Sequence, residues 1–253
     1  MKKLFGKIIL AVLTVVMAFA AIGCGGDPGN GDGGHTHTYV NGKCSDTTCG
    51  QYELFNAVSN EIMSNFTLVI ENELDTKRTS PDGNTVYDES WGTRKTKEVH
   101  TIKVADGKFF EEYVIYDYDD NSIVKEQGIK TFTGSQAATL INSVVSEIRG
   151  YAFYEKFYNG QNLFRTTEGG YILNQSFGFG YNGYYYTETT VEARNNTSVE
   201  VQKDNLTIMV TEGKIASMTF VSKENCSDAQ KSWYIETLSA TYTFSNYGTT
   251  VIA

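Results

Sequence analysis

The chain has 253 residues, a formal net charge of -9, 40% hydrophobic and 13% aromatic residues, and two prolines, Pro28 and Pro81. Such apolar and aromatic content excludes a disordered chain, and the acidic balance lacks the Lys/Arg excess of a nucleic-acid binder. The composition suits one folded core whose acidic surface repels anionic lipid headgroups.

Residues 1–23 read as an export signal: Lys2, Lys3 and Lys7, then an apolar run from Ile8 to Ile22 broken only by Thr14. A helix over that run spans about 22 Å, short of the ~30 Å hydrocarbon core, so a permanent transmembrane helix is the weaker reading. Ala21-Ile22-Gly23-Cys24 resembles the lipobox of bacterial lipoproteins, with Ala21 where Leu is commoner. The resemblance implies a diacylated Cys24 as the mature N-terminus, hence a lipid-anchored, exported protein on the outer face of the cytoplasmic membrane or in the cell envelope. The alternative is an ordinary signal peptide with Cys24 an incidental thiol. Residues 25–34, with six glycines and no apolar side chain, form a flexible tether behind the lipidated Cys24.

Residues 35–50 carry His35, His37, Cys44 and Cys49, with Asn41-Gly42 as a hairpin-type turn between the two halves. The four side chains are candidate ligands of one structural Zn²⁺ in a miniature knuckle. The alternatives are a Cys44–Cys49 disulfide, which export permits, and a loop without an ion. The segment is similar to a short His/Cys element that follows the lipobox in certain surface lipoproteins. Cys226 falls in a stretch that reads as a polar loop, as an unpaired thiol.

Residues 51–253 read as one domain. A first amphipathic helix is expected from Gln51 to Asn65, with Phe55, Val58 and Ile62 on one stripe. The period then changes to two: Phe66, Leu68, Ile70 and Leu74 share a strand face, and strands follow at 94–104, 108–118 and 122–133. Asp106-Gly107 and Asp119-Asp120-Asn121 mark the turns. A second helix starts at Ser135, with Ala137, Leu140, Ile141, Val144, Val145 and Ile148 at helical spacing. Strand alternation returns in Leu206/Ile208/Val210, Ala216/Met218/Phe220 and Leu238/Ala240/Tyr242/Phe244. Without a βαβ rhythm, the fold class expected is α+β, an antiparallel sheet with helices on one side.

Asn65-Phe66-Thr67-Leu68 after the first helix, Asp106-Gly107-Lys108-Phe109-Phe110, Glu212-Gly213-Lys214-Ile215 and the terminal Tyr242-Thr-Phe244-Ser-Asn246-Tyr247-Gly248 together resemble the LolA/LolB/LppX type of lipoprotein domain. That resemblance implies an antiparallel half-barrel wrapped around helices, with an apolar concavity for acyl chains. Phe66, Leu68, Leu140, Val144, Phe220 and Tyr242 are the candidate cavity lining.

Three motifs mimic chemistry. Gly178-Phe-Gly180-Tyr-Asn-Gly183 has dinucleotide-loop spacing without a following helix and reads as a flexible aromatic loop. Asp117 to Gly128 lacks the Gly and Glu of a calcium loop. His100, the one histidine outside the N-terminal cluster, sits in a strand pattern with no nucleophile elbow. The expected function is therefore non-enzymatic: a monomeric, membrane-anchored lipoprotein that binds or carries a hydrophobic, acyl-bearing ligand. The alternative is a surface module that recognises protein or glycan through the tyrosine-rich 177–186 segment.

Overall fold

The computed structural model describes residues 38–40, 43–45, 53–79, 85–86, 94–118, 120–152, 164–186, 191–227 and 233–252. The export signal, Cys24, the tether, His35, His37 and Cys49 lie outside these residues. Strands β1 (Tyr39–Val40) and β2 (Lys43–Cys44) pair antiparallel across the expected Asn41-Gly42 turn, with Tyr39 opposite Cys44. A short helix α1 (Glu53–Ala57) and a 3-10 turn (Ile62–Ser64) follow.

The remaining strands form one antiparallel sheet of ten. They are β3 (Phe66–Thr79), β4 (Arg94–Ala105), β5 (Lys108–Tyr116), β6 (Val124–Phe132), β7 (Phe164–Thr167), β8 (Gly170–Leu173), β9 (Phe177–Tyr186), β10 (Val191–Thr211), β11 (Lys214–Ser227) and β12 (Trp233–Ser245). The order across the sheet is β6-β5-β4-β3-β12-β11-β10-β8-β7. One edge of the 21-residue β10 takes β9 along its first half and β8 along its second. The turn at Asp106-Gly107 is where the sequence placed it, and Glu212-Gly213 makes a second of the same kind. Asp106 and Gly107 have φ of 51° and 68°, and Glu212 and Gly213 have 52° and 70°, so each hairpin closes through two left-handed residues.

Alternation gives the sheet an inner face. Phe66 and Leu68 of β3 are fully buried there, as are Leu206 and Ile208 of β10 and Met218 of β11. Each contributes about 1.5–3 kcal/mol of transfer free energy. Helix α2 (Gly134–Ala152) lies over this face and buries Ala137, Val144, Val145 and Ile148. Arg149 in its last turn suits the negative end of the helix dipole. Its guanidinium donates to Val58 O at 3.0 and 2.9 Å and to Asn60 Oδ1 at 2.7 Å, fastening α2 to the segment after α1. The C-terminal segment is pinned to the start of β3: Gly248 N donates to Asn65 O, and Asn65 and Thr250 exchange two further hydrogen bonds.

The α+β half-barrel wrapped around helices is not what the chain forms. A single sheet dominates, and α2 is the one helix of more than five residues among the described residues. The expected helix over 51–65 yields α1 and the 3-10 turn among the described residues: Val58 O, which a continuous helix would give to Ile62 N, accepts from Arg149 instead, and Ile62 N donates to Ser59 Oγ. The segment 177–186 is strand β9 rather than a loop, its backbone paired to β10 from Phe177↔Val201 to Tyr186↔Val191. Cys226 likewise belongs to β11, opposite Tyr234, and not to a loop. In both places glycine or polar content suggested a turn, and cross-strand pairing overrode it.

Candidate functional site

Strand β4 presents Thr96, Glu98, His100, Ile102 and Val104 to the inner face, so polar side chains occupy positions the alternation reserves for a core. Register places His100 between Ile70 of β3 and Tyr113 of β5, and Ile102 opposite Glu111 of β5. Glu98, His100 and Glu111 are 4%, 3% and 6% exposed, a depth at which charges must be paired.

They pair with one another. His100 Nε2 donates to Glu98 Oε2 at 3.2 Å, and Nδ1 donates to Glu111 Oε1 at 3.3 Å. Both bonds are made at once when both ring nitrogens carry protons, the imidazolium form that the raised pKa favours. Burial by itself depresses the His100 pKa, but the hydrogen bonds from Glu111 and Glu98, with their charges, outweigh it and leave the pKa above its ordinary value. Thr96 Oγ1 donates to the second oxygen of Glu98 at 3.3 Å, and Lys130 of β6 stands 4.0 Å from the second oxygen of Glu111. The Tyr113 ring stacks on the imidazolium at 6.0 Å and 22°, with the Lys130 ammonium 4.7 Å from the centre of that ring. Gly128 makes room for it: a Cβ there would lie 2.8 Å from the Tyr113 ring.

Above the cluster, between α2 and the sheet, lies a cavity of about 70 Å³. Ile70, Leu74, Ile102 and Phe109 line it from the sheet, and Leu140 and Val144 from α2. Asn72, Glu98, His100, Glu111, Glu147 and Tyr242 supply its polar wall. Tyr242 Oη donates to Glu147 Oε1 at 2.7 Å. Burial pushes the Glu147 carboxyl up to about 7, against the lowering effect of that bond. Asn72 Oδ1 is buried without a hydrogen-bond partner, which costs about 1–3 kcal/mol in a closed protein.

Of the six residues expected to line a cavity, Leu140, Val144 and Tyr242 surround this one. Phe66, Leu68 and Phe220 are on the same face but packed in the core. Sequence reasoning missed the other polar members, Asn72, Glu98, His100, Glu111 and Glu147. The available signal was Glu98 and His100 at spacing two, in phase with Ile102 and Val104, while the approach of Glu111 and Glu147 depended on register and helix placement. Asp117 to Ile123 closes as a hairpin turn in which Ser122 N donates to Asp120 Oδ1. Among the described residues no group of three His, Cys, Asp or Glu is arranged to hold a metal ion, and none of their helices is long and apolar enough to cross a membrane. No protein-family model and no characterised protein matches the chain.

Proposed function

We propose that the protein is an exported, lipid-anchored binding protein that receives a hydrophobic ligand with a polar end between α2 and the inner face of the sheet. The anchor rests on the N-terminal sequence through Cys24. The binding position rests on one observation: a cavity with apolar walls and an ionisable floor beside the buried core of the inner face. At about 70 Å³ the enclosed space suits a head group or a few waters, whereas ligand pockets commonly run to roughly 300–1,000 Å³. The chain of the ligand is therefore accommodated by α2 moving away from the sheet. The reading involves no catalysis: both nitrogens of His100 are engaged by Glu98 and Glu111.

Native mass spectrometry of the full chain, released from membranes in mild detergent and then extracted for bound small molecules, tests the reading. A reproducible adduct that is lost on Val144→Trp, which fills the cavity, is the expected result. A bare polypeptide mass that candidate amphiphiles leave unchanged overturns it and favours a dry surface module acting through β9. The β1–β2 hairpin supports a separate structural proposal, that Cys44 joins His35, His37 and Cys49 on one Zn²⁺. A mass shift of one zinc, lost on Cys44→Ser, is its readout; a loss of two hydrogens instead identifies the Cys44–Cys49 disulfide.

A further inference from the structure

The buried hydrogen-bonding atom left without a partner in the cavity is an acceptor. Asn72 Oδ1 accepts nothing. Glu147 has one oxygen engaged by Tyr242, and its second becomes an acceptor as the carboxyl ionises through about pH 7. Tyr242 Oη is committed to Glu147, and both His100 nitrogens to Glu98 and Glu111. The charge has the same sense, since two carboxylates surround one imidazolium, Lys130 approaches only from the β6 side at 4.0 Å, and Glu147 adds a third carboxyl from the helix. An anionic head group would meet the carboxylates of the cluster, and a neutral apolar end would leave Asn72 Oδ1 unsatisfied.

Building on the proposed ligand-binding role, we infer that the polar end of the ligand is a protonated amine, seated between Asn72 Oδ1 and the Glu147 carboxyl over the Glu98–His100–Glu111 cluster. An alkylammonium brings donors to the acceptors that lack them and offsets the surplus negative charge, while its carbon chain meets Ile70, Leu140 and Val144. Free acyl chains ending in carboxylate, and phosphate-headed lipids, are excluded by the same accounting.

Binding also depends on pH in a definite direction. The groups that face Glu147 across the cavity are Tyr242 of β12, Glu98 and His100 of β4 and Glu111 of β5. As pH rises through about 7 Glu147 ionises, and His100 loses its proton above its ordinary range. Both changes make the site more negative while an alkylamine, like lysine, stays protonated to about pH 10. Amine affinity therefore climbs between pH 6 and 8.

The test uses the full chain in mild detergent, with n-hexylamine, n-hexanol and n-hexanoate as probes, read by thermal unfolding and by isothermal titration calorimetry. Saturable binding of hexylamine, at least tenfold tighter than hexanol and without measurable hexanoate binding, is expected. Glu147→Gln, close to isosteric, should weaken the amine about tenfold and flatten its pH dependence while leaving hexanol unchanged; Asn72→Ala provides a second variant at the other acceptor. Equal binding of hexylamine and hexanol overturns the amine assignment and leaves the hydrophobic-ligand reading standing. Preferential hexanoate binding, or an amine affinity indifferent to Glu147→Gln, also overturns the assignment. Failure of all three probes overturns the assignment and the reading together.

Discussion

Two halves of the inner face follow the same alternation and end in opposite chemistry. Across β10, β11 and β8 the inward positions are Val201, Leu206, Ile208, Met218, Phe220 and Leu173, each at most 1% exposed. Across β3, β4 and β5 the equivalent rows contain Asn72, Glu98, His100 and Glu111, and α2 covers them with Glu147. The first half is a core with one requirement, close packing. The second keeps ionisable groups under a helix, where each must be satisfied by a particular neighbour. Strand period alone does not distinguish them; the chemistry of the in-phase residues does.

Four changes break or sharpen that contrast. Phe220→Ala leaves a cavity in the dry half beside Tyr242, whose ring lies 5.4 Å away, and should lower the unfolding free energy by about 3–5 kcal/mol at every pH, read from urea midpoints. In the polar half, His100→Ala removes the cation between Glu98 and Glu111. A loss of comparable size, about 3–5 kcal/mol, is expected below pH 6.5 and should shrink as pH rises through the raised His100 pKa. A pH-independent loss would show that His100 acts by volume alone.

Glu147→Gln probes the same half with a smaller and oppositely signed effect. The folded-state pKa of about 7 lies above the ordinary 4.5, so the folded state holds its proton more tightly. Stability from this group is complete below about pH 4.5 and declines as pH rises toward 7 and beyond, by up to about 3 kcal/mol. His100 acts in the same sense: its raised pKa means that its contribution is full below 6.5 and lost as pH rises through the folded value. Glu147→Gln should therefore be more stable than wild type at pH 8, equal near pH 4.5, and still show the His100 slope, as measured by thermal melts across pH. Tyr242→Phe is the mildest change, costing about 1 kcal/mol at pH 5 through the lost hydrogen bond. It also removes a bond that lowers the Glu147 pKa, so the mutant's pH-dependent decline should shift to higher pH.

The sequence by itself determined the strands from β3 to β6, the two-residue turn at Asp106-Gly107, helix α2 and the buried faces of β10 to β12. Each of these is written in short-range periodicity and turn chemistry, which operate over a few residues. Tertiary structure decided the remainder. Phe177 to Tyr186 became a strand because β10 offered a free edge, and the region 51–65 gave up most of its expected helix to the packing around α2. The site was settled in the same way. His100 meets Glu111 only through the β4–β5 register, and Glu147 only because α2 crosses the sheet to reach Tyr242 of β12, 95 residues away. A local pattern can announce that a polar residue faces inward, but its partner comes from a distant strand or helix, and hence from the pairing and packing of the whole chain.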